Sequence, residues 1–319
     1  MKIVMLDRNS IGLDIDVSFF EKLGDFEYHD TADVETSKDY IKDADIVIFN
    51  KTKMNEEMLK DAPNVKLLCV TATGFDNIDL EYARSRGIGA CNVKDYSTPA
   101  VVQHTFALAL AVLEKLRYYD DYVKSGAYSS QLGFSHFEET YFELQGKTWG
   151  IIGLGNIGRG VAKVAEAFGC KVIFYSASGN NATTDYKRVD FETLCRESDI
   201  LSLHCPLSDK TREIINLDAF KLMKKSAILV NVARGPVVKE DDLYVALTEN
   251  MIGGAGLDVL SKEPMSVDNP LGKIKDSRKL VITPHMAWAS VEARGRCMKE
   301  VYNNIEAFLD GKERNRLDR

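Results

Sequence analysis

Short apolar runs alternate with longer polar, helix-compatible stretches along most of the chain. "KIVML" (2–6), "ADIVIFN" (44–50), "VKLLCVTAT" (65–73) and "GIGACNV" (87–93) are nearly continuous in apolar residues. That is the pattern of parallel strands covered on both faces, and the rhythm predicts an α/β unit. "STPAVVQHTFALALAVLEKL" then reads as a long buried helix: Ser97 or Thr98 can cap it, Pro99 suits its first turn, and the apolar positions run to about Leu116. The stretch "YYDDYVKSGAYSSQLGFSHFEETYFELQGKT" is aromatic-rich and is expected to be irregular connecting chain. A second alternation starts at Thr148, with strand-like runs "TWGIIGLG", "KVIFYS", "DILSLHCPL", "SAILVNVA", "GAGLDVL" and "KLVITPHM". The final "WASVEARGRCMKEVYNNIEAFLDGK" returns to a helical pattern ending near Gly311. This order predicts one parallel-sheet domain inserted in another. Residues 1–98 and 289–319 would form the outer domain and 99–288 the inserted, doubly wound one.

Composition narrows the classes. A formal net charge of −7 over 319 residues offers no basic face for nucleic acid. No apolar run approaches the roughly 18 residues of a membrane span. The N-terminus reads as a strand and not as a signal peptide. Cys69, Cys91, Cys170, Cys195, Cys205 and Cys297 are scattered, without a CxxC pair. They are expected to be reduced in a cytoplasmic protein and to bind no metal.

Within the second alternation, "GLGNIG" follows a strand and opens a helix pattern at Ile157, Val161, Val164, Ala165 and Phe168. Gly153 permits a tight turn, Gly155 allows backbone close to a pyrophosphate, and Gly158 allows close helix packing. The amides of Asn156 and Ile157 would face the phosphates. The next strand ends in Ser176, where an Asp or Glu usually accepts the adenosine ribose hydroxyls. Serine leaves room for a 2′-phosphate, yet no arginine follows at once; Lys187 and Arg188 lie further on. Ser176 can equally be a turn cap. The cofactor is therefore NAD or NADP, with a lean to NAD.

Three stretches, "NVARGP", "DVLSKEP" and "TPHMAW", place Arg234, Glu263 and His285 at or after strand ends. Singly, each has a structural reading: a surface arginine in a Gly-Pro turn, a solvated loop carboxylate, a turn histidine. Together, downstream of a dinucleotide loop, they suit hydride chemistry. Arg234 would hold an anionic substrate and polarise its carbonyl, His285 would exchange the proton, and Glu263 would orient the imidazole and favour its protonated form.

"GLGNIGRGVA", "LHCPLSDKTREIIN", "LVNVARGPVVKEDDL", "GAGLDVLSKEP", "TPHMAWAS" and "TATGFDNIDLEYARSRGIGACNV" together resemble the D-isomer-specific 2-hydroxyacid dehydrogenase family over nearly the whole chain. The resemblance implies a Rossmann cofactor domain inserted in a flavodoxin-like catalytic domain, an interdomain cleft and a homodimer. By position it assigns Arg234, Glu263 and His285 as the catalytic trio. Thr73, Asn156, Ile157, Ser176, Cys205, Val232 and Asp258 match cofactor contacts, Asp258 near the nicotinamide. The amides of Thr73 and Gly74 match a cradle for the substrate carboxylate, shared with Arg234 and His285. "PHMAWAS", with Trp288, resembles the glycerate dehydrogenase or hydroxypyruvate reductase branch. The expected reaction is hydride transfer between NAD(P) and a small D-2-hydroxy acid or its 2-keto acid, such as D-glycerate/hydroxypyruvate or glycolate/glyoxylate. A D-lactate-type dehydrogenase and a nucleotide-sensing, corepressor-like binding protein are the alternatives.

Overall fold

The computed structural model of the chain describes residues 1–31, 33–179 and 186–319. They fall into two compact units, Met1–Ser97 with Trp288–Arg319, and Thr98–Ala287.

The first unit holds β1 (Lys2–Met5), β2 (Asp25–Tyr28), β3 (Ile46–Phe49), β4 (Leu67–Val70) and β5 (Gly89–Cys91). All are parallel, in the order β2-β1-β3-β4-β5, a flavodoxin-like arrangement. The apolar runs identify four of them. They miss β2, "DFEY", which pairs with β1 alone and stays partly exposed, so nothing requires it to be apolar. Helix Val291–Leu309 belongs to this unit and buries Cys297, Met298, Val301 and Ile305. Beyond it the chain lies along β5: Leu317 N donates to Ala90 O at 2.8 Å, and Asp318 Oδ1 accepts from Ala90 N at 2.9 Å. The sheet edge at β5 is thereby covered.

The second unit holds β6 (Thr148–Ile152), β7 (Lys171–Tyr175), β8 (Lys187–Arg188), β9 (Ile200–Leu203), β10 (Ile228–Asn231), β11 (Gly254–Leu257) and β12 (Leu280–Ile282). Their order is β12-β11-β10-β9-β6-β7-β8, all parallel. Neighbouring residues of one strand enter different cores. Ile152, Leu201, Leu203 and Leu229 join one; Trp149, Ile151, Ile200, Ile228 and Val230 join the other. Burial on both faces is why these strands read as unbroken apolar runs. The strand missing from the sequence reading is β8, two exposed residues at the sheet's edge.

The long helix also differs from expectation. It spans Thr98–Leu113, and Lys115 then turns into the left-handed region at φ 52°. A second helix, Leu116–Lys124, and a short one, Ala127–Ser130, occupy the stretch expected to be irregular. Leu116, Tyr119 and Val123 do recur at helical spacing there, although no residue of that helix is buried. Among the described residues, no helix is long and apolar enough to cross a membrane, and the six cysteines are buried and free.

Candidate active site

In the second unit the strand order reverses between β6 and β9, and open parallel sheets bind ligands beyond the carboxyl ends of strands at such a reversal. Gly153 turns the chain out of β6 with φ 92°. A Cβ there would lie 2.8 Å from Cys205 N and 2.9 Å from His204 C, so only glycine lets the segments after β6 and β9 meet. Gly155 caps helix Asn156–Ala167, and a Cβ on it would meet nothing within 4 Å. A Cβ on Gly158 would sit 2.3 Å from Gly153 O, which seats the helix on the loop. The result is an open cradle at a helix start. First-turn amides, those of Asn156 and Ile157 included, and the helix dipole favour an anion there. These residues fit a dinucleotide pyrophosphate.

The candidate trio is built on the same edge of the sheet. Arg234 follows β10; Asn231 Nδ2 donates to its carbonyl at 3.0 Å, and its own Nη1 donates to Ala233 O at 2.9 Å. Gly235 lies against the chain at 260–261, since a Cβ there would be 1.9 Å from Leu260 C. The arginine turn and the Glu263 loop are therefore in contact. Leu260 N donates to Glu263 Oε1 at 2.9 Å, and Glu263 Oε2 is 2.6 Å from His285 Nδ1. The two side chains are 34% and 29% exposed, reachable by a ligand yet held by each other.

His285 itself occupies the left-handed region at φ 54°, rare for a side-chain-bearing residue. Asp258 supports that turn. Its carbonyl accepts from His285 N at 2.8 Å. Its carboxylate accepts from Met286 N at 2.9 Å, Ala287 N at 2.8 Å and Thr283 Oγ1 at 2.6 Å, and lies 3.4 Å from His104 Nε2. Burial pushes the Asp258 carboxyl up, but hydrogen bonds from His104, Thr283, Ala287 and Met286 together outweigh it and hold the group below the usual carboxylate range.

The other candidate residues are distributed as follows. Thr73 and Gly74 belong to the first unit, after β4. Thr73 Oγ1 donates to Val93 O at 2.9 Å, and Asn92 Nδ2 donates to Thr73 O at 2.8 Å, which fixes that turn. Ser176 is buried, its Oγ 3.3 Å from Ser178 Oγ. The pairing of β8 with β7 returns Arg188 to this turn, where its Nη1 donates to Gly179 O at 3.0 Å. Cys205 is buried, and burial pushes its thiol up to about 11, so it stays a protonated, small apolar side chain. Val232 is half-buried against the core beside Val230.

Two histidines escaped the sequence reading. His204 Nε2 is 3.0 Å from Ser202 Oγ, which accepts from Trp149 Nε1 at 2.8 Å; burial lowers His204 to about 3, leaving it neutral. His104 Nε2 is 2.9 Å from Thr283 Oγ1, under the His285 turn. Its only signal was one polar ring in a strongly apolar helix. Among the described residues, no group of three or more His, Cys, Asp or Glu is arranged to hold a metal ion.

Comparison with known proteins agrees with the two-sheet α/β fold. The sequence profile described as "D-isomer specific 2-hydroxyacid dehydrogenase, NAD binding domain" matches residues 106–287. The chain is 38% identical to a hydroxypyruvate reductase of Blautia hydrogenotrophica over 317 residues, 98% of each protein. It is 37% identical to a glycerate dehydrogenase of Methylorubrum extorquens over 315 residues, again 98% of each. Among solved structures, an acyclic imino acid reductase in complex with NADPH and D-Arg superposes with a TM-score of 0.88 at 35% identity, over 99% of this chain and 100% of that one.

Proposed function

The chain belongs to the D-isomer-specific 2-hydroxyacid dehydrogenase family, and from that premise we propose that it reduces a short 2-keto acid, hydroxypyruvate or glyoxylate, to the D-2-hydroxy acid. The observation that carries this is the 2.6 Å contact between Glu263 Oε2 and His285 Nδ1 on the sheet edge that also carries the glycine cradle. The names of the hydroxypyruvate reductase and glycerate dehydrogenase relatives support the substrate class.

Bound nicotinamide supplies the hydride. The chain's own residues do the rest. With Nδ1 held by Glu263, the proton that His285 exchanges with the substrate oxygen is the one on Nε2. Arg234 is a fixed planar cation suited to a carboxylate and its neighbouring carbonyl together. Thr73 and Gly74 are proposed to offer amides to the carboxylate. Asn156 and Ile157 offer theirs to the pyrophosphate. Asp258 serves the nicotinamide side through the turn it holds. Cys205 and Val232 supply apolar wall.

For the coenzyme we propose weak discrimination with a lean to NAD. Ser176 brings no charge against a 2′-phosphate, while Arg188 is already engaged by Gly179 O. We further propose a homodimer working in the reducing cytoplasm. Leu132, Phe134 and Phe137 lie almost wholly exposed within six positions and suit a second copy as cover. The buried free cysteines suit a reducing compartment.

The test combines a substrate screen with one variant. Hydroxypyruvate, glyoxylate, pyruvate and bulkier 2-keto acids are assayed with NADH and with NADPH. His285→Ala should lower turnover by about 10²–10⁴-fold with coenzyme binding intact. Preference for pyruvate favours the D-lactate-type reading. Coenzyme binding without turnover on any keto acid favours a nucleotide-sensing protein.

A further inference from the structure

Glu263 sits in a loop that packing does not hold. Between Leu260 and Asn269, both buried, the chain at 261–268 is largely exposed, and Val267 is fully so. Yet the function proposed above needs Glu263 fixed against His285. What fixes the loop is at its two ends, and both ends converge on one side chain. Glu240 Oε1 accepts from Ser261 N at 2.5 Å, and Glu240 Oε2 accepts from Asn269 Nδ2 at 2.7 Å. Asn269 Oδ1 in turn accepts from Leu271 N at 3.0 Å.

Glu240 opens helix Glu240–Thr248, on the segment that runs on from Arg234. The same segment touches the loop a second time, through Gly235 against Leu260 and Ser261. We propose that Glu240 is a positioning residue: it ties both ends of the 260–269 loop to the segment carrying Arg234, so that Glu263 meets His285 at a fixed place. This rests on the trio reading above. Helix-start electrostatics alone do not account for Glu240. Asp241 and Asp242 already supply first-turn charge, whereas both Glu240 oxygens are directed to the loop.

The hydrogen-bond polarity of the link gives a test in which loss and repair use the same atoms. Glu240→Gln sets an amide NH₂ against the Asn269 NH₂. Asn269→Asp sets two carboxylates against each other. Combined, the amide at 240 accepts from Ser261 N and donates to the carboxylate at 269, which still accepts from Leu271 N. Each single variant should lower kcat/KM for hydroxypyruvate about tenfold, chiefly in kcat, with NADH Kd within about twofold. The double variant should return to within about twofold of wild type. In a Glu263→Gln background, Glu240→Gln should add no further loss. Wild-type rates in both single variants, a loss that persists in the double variant, or additive losses with Glu263→Gln would overturn the proposal. Failure of the trio reading shows separately, as full turnover in His285→Ala.

Discussion

Each unit has one place where its strand order reverses: between β1 and β3 in the first, between β6 and β9 in the second. The topology gives both a crevice past the strand ends, but the two are finished differently. In the first, Asp7 follows β1 in the left-handed region at φ 45°. Its carboxylate accepts from Asn50 N at 3.0 Å, Lys51 N at 3.1 Å and Thr52 Oγ1 at 3.1 Å, just past β3. Asn77 Nδ2 closes the same loop by donating to Asn50 O at 2.9 Å. In the second, Gly155 leaves open space above the helix start. Backbone amides at such a reversal need an acceptor. The first unit carries its own in Asp7. The second is proposed to offer amides at its helix start to an anion from outside. The difference lies in whether a side chain already occupies the anion's place.

The sharpest way to break the contrast is to copy the first arrangement into the second. Gly155 has φ −79°, which any residue adopts, and faces no atom a side chain would strike. Gly155→Asp should therefore fold at least as well as wild type, since Asp is a good helix cap. The new carboxylate would take the first-turn amides and repel pyrophosphate, and NADH affinity should fall more than about 100-fold, roughly 2.7 kcal/mol. Titration calorimetry beside a thermal melt reads both, and retained affinity would show that the cradle is not the pyrophosphate site.

A smaller effect is expected from the opposite change. Asp7→Asn keeps a residue tolerant of left-handed backbone but turns an acceptor into a donor facing the amides of residues 51 and 52. Denaturant unfolding should show a loss of about 1–3 kcal/mol, with NADH binding unchanged. A stability equal to wild type would mean the bonds to Asp7 hold nothing.

The smallest concerns His204, beside the open crevice. Its folded pKa, about 3, lies below the unfolded value near 6.5. Between those values the unfolded chain binds the extra proton, so its stabilising share is full above about pH 6.5 and is lost as pH falls toward 3. Wild type should lose about 1 kcal/mol more than His204→Gln on going from about pH 6.5 to about pH 5.5. Parallel stability curves for the two proteins would contradict it.

How much of this was legible in the sequence follows from what burial demands. Strands covered on both faces must be apolar throughout, so the inner strands of both sheets stand out in the sequence, as does the glycine loop, whose residues are fixed by close approach. The edge strands β2 and β8 escaped because one-sided pairing and exposure ask nothing of their composition. The break at Lys115 escaped because a single left-handed residue leaves no periodic trace. Arg234, Glu263 and His285 could be named because reactive residue types recur after strand ends. The sequence could not give the acceptor and donor assignments around them. The sequence names Asp258 only as a cofactor position and Glu240 not at all, until the fold brings amides from 28 or 29 and 21 positions away onto their oxygens. Arg188, distant from Ser176 in sequence, returns to the same turn only because β8 pairs with β7.

The pairing of residues 317 and 318 with Ala90 also sets a timetable for synthesis. Every strand and helix of the second unit has been synthesised once residue 287 is made. The first unit began earlier, yet it must wait for the helix Val291–Leu309 and for the segment that covers β5. Domains generally fold in the order they emerge. Here the order is inverted: the unit whose first strand emerges first is completed last, and its β5 edge stays open until residue 318 has been added.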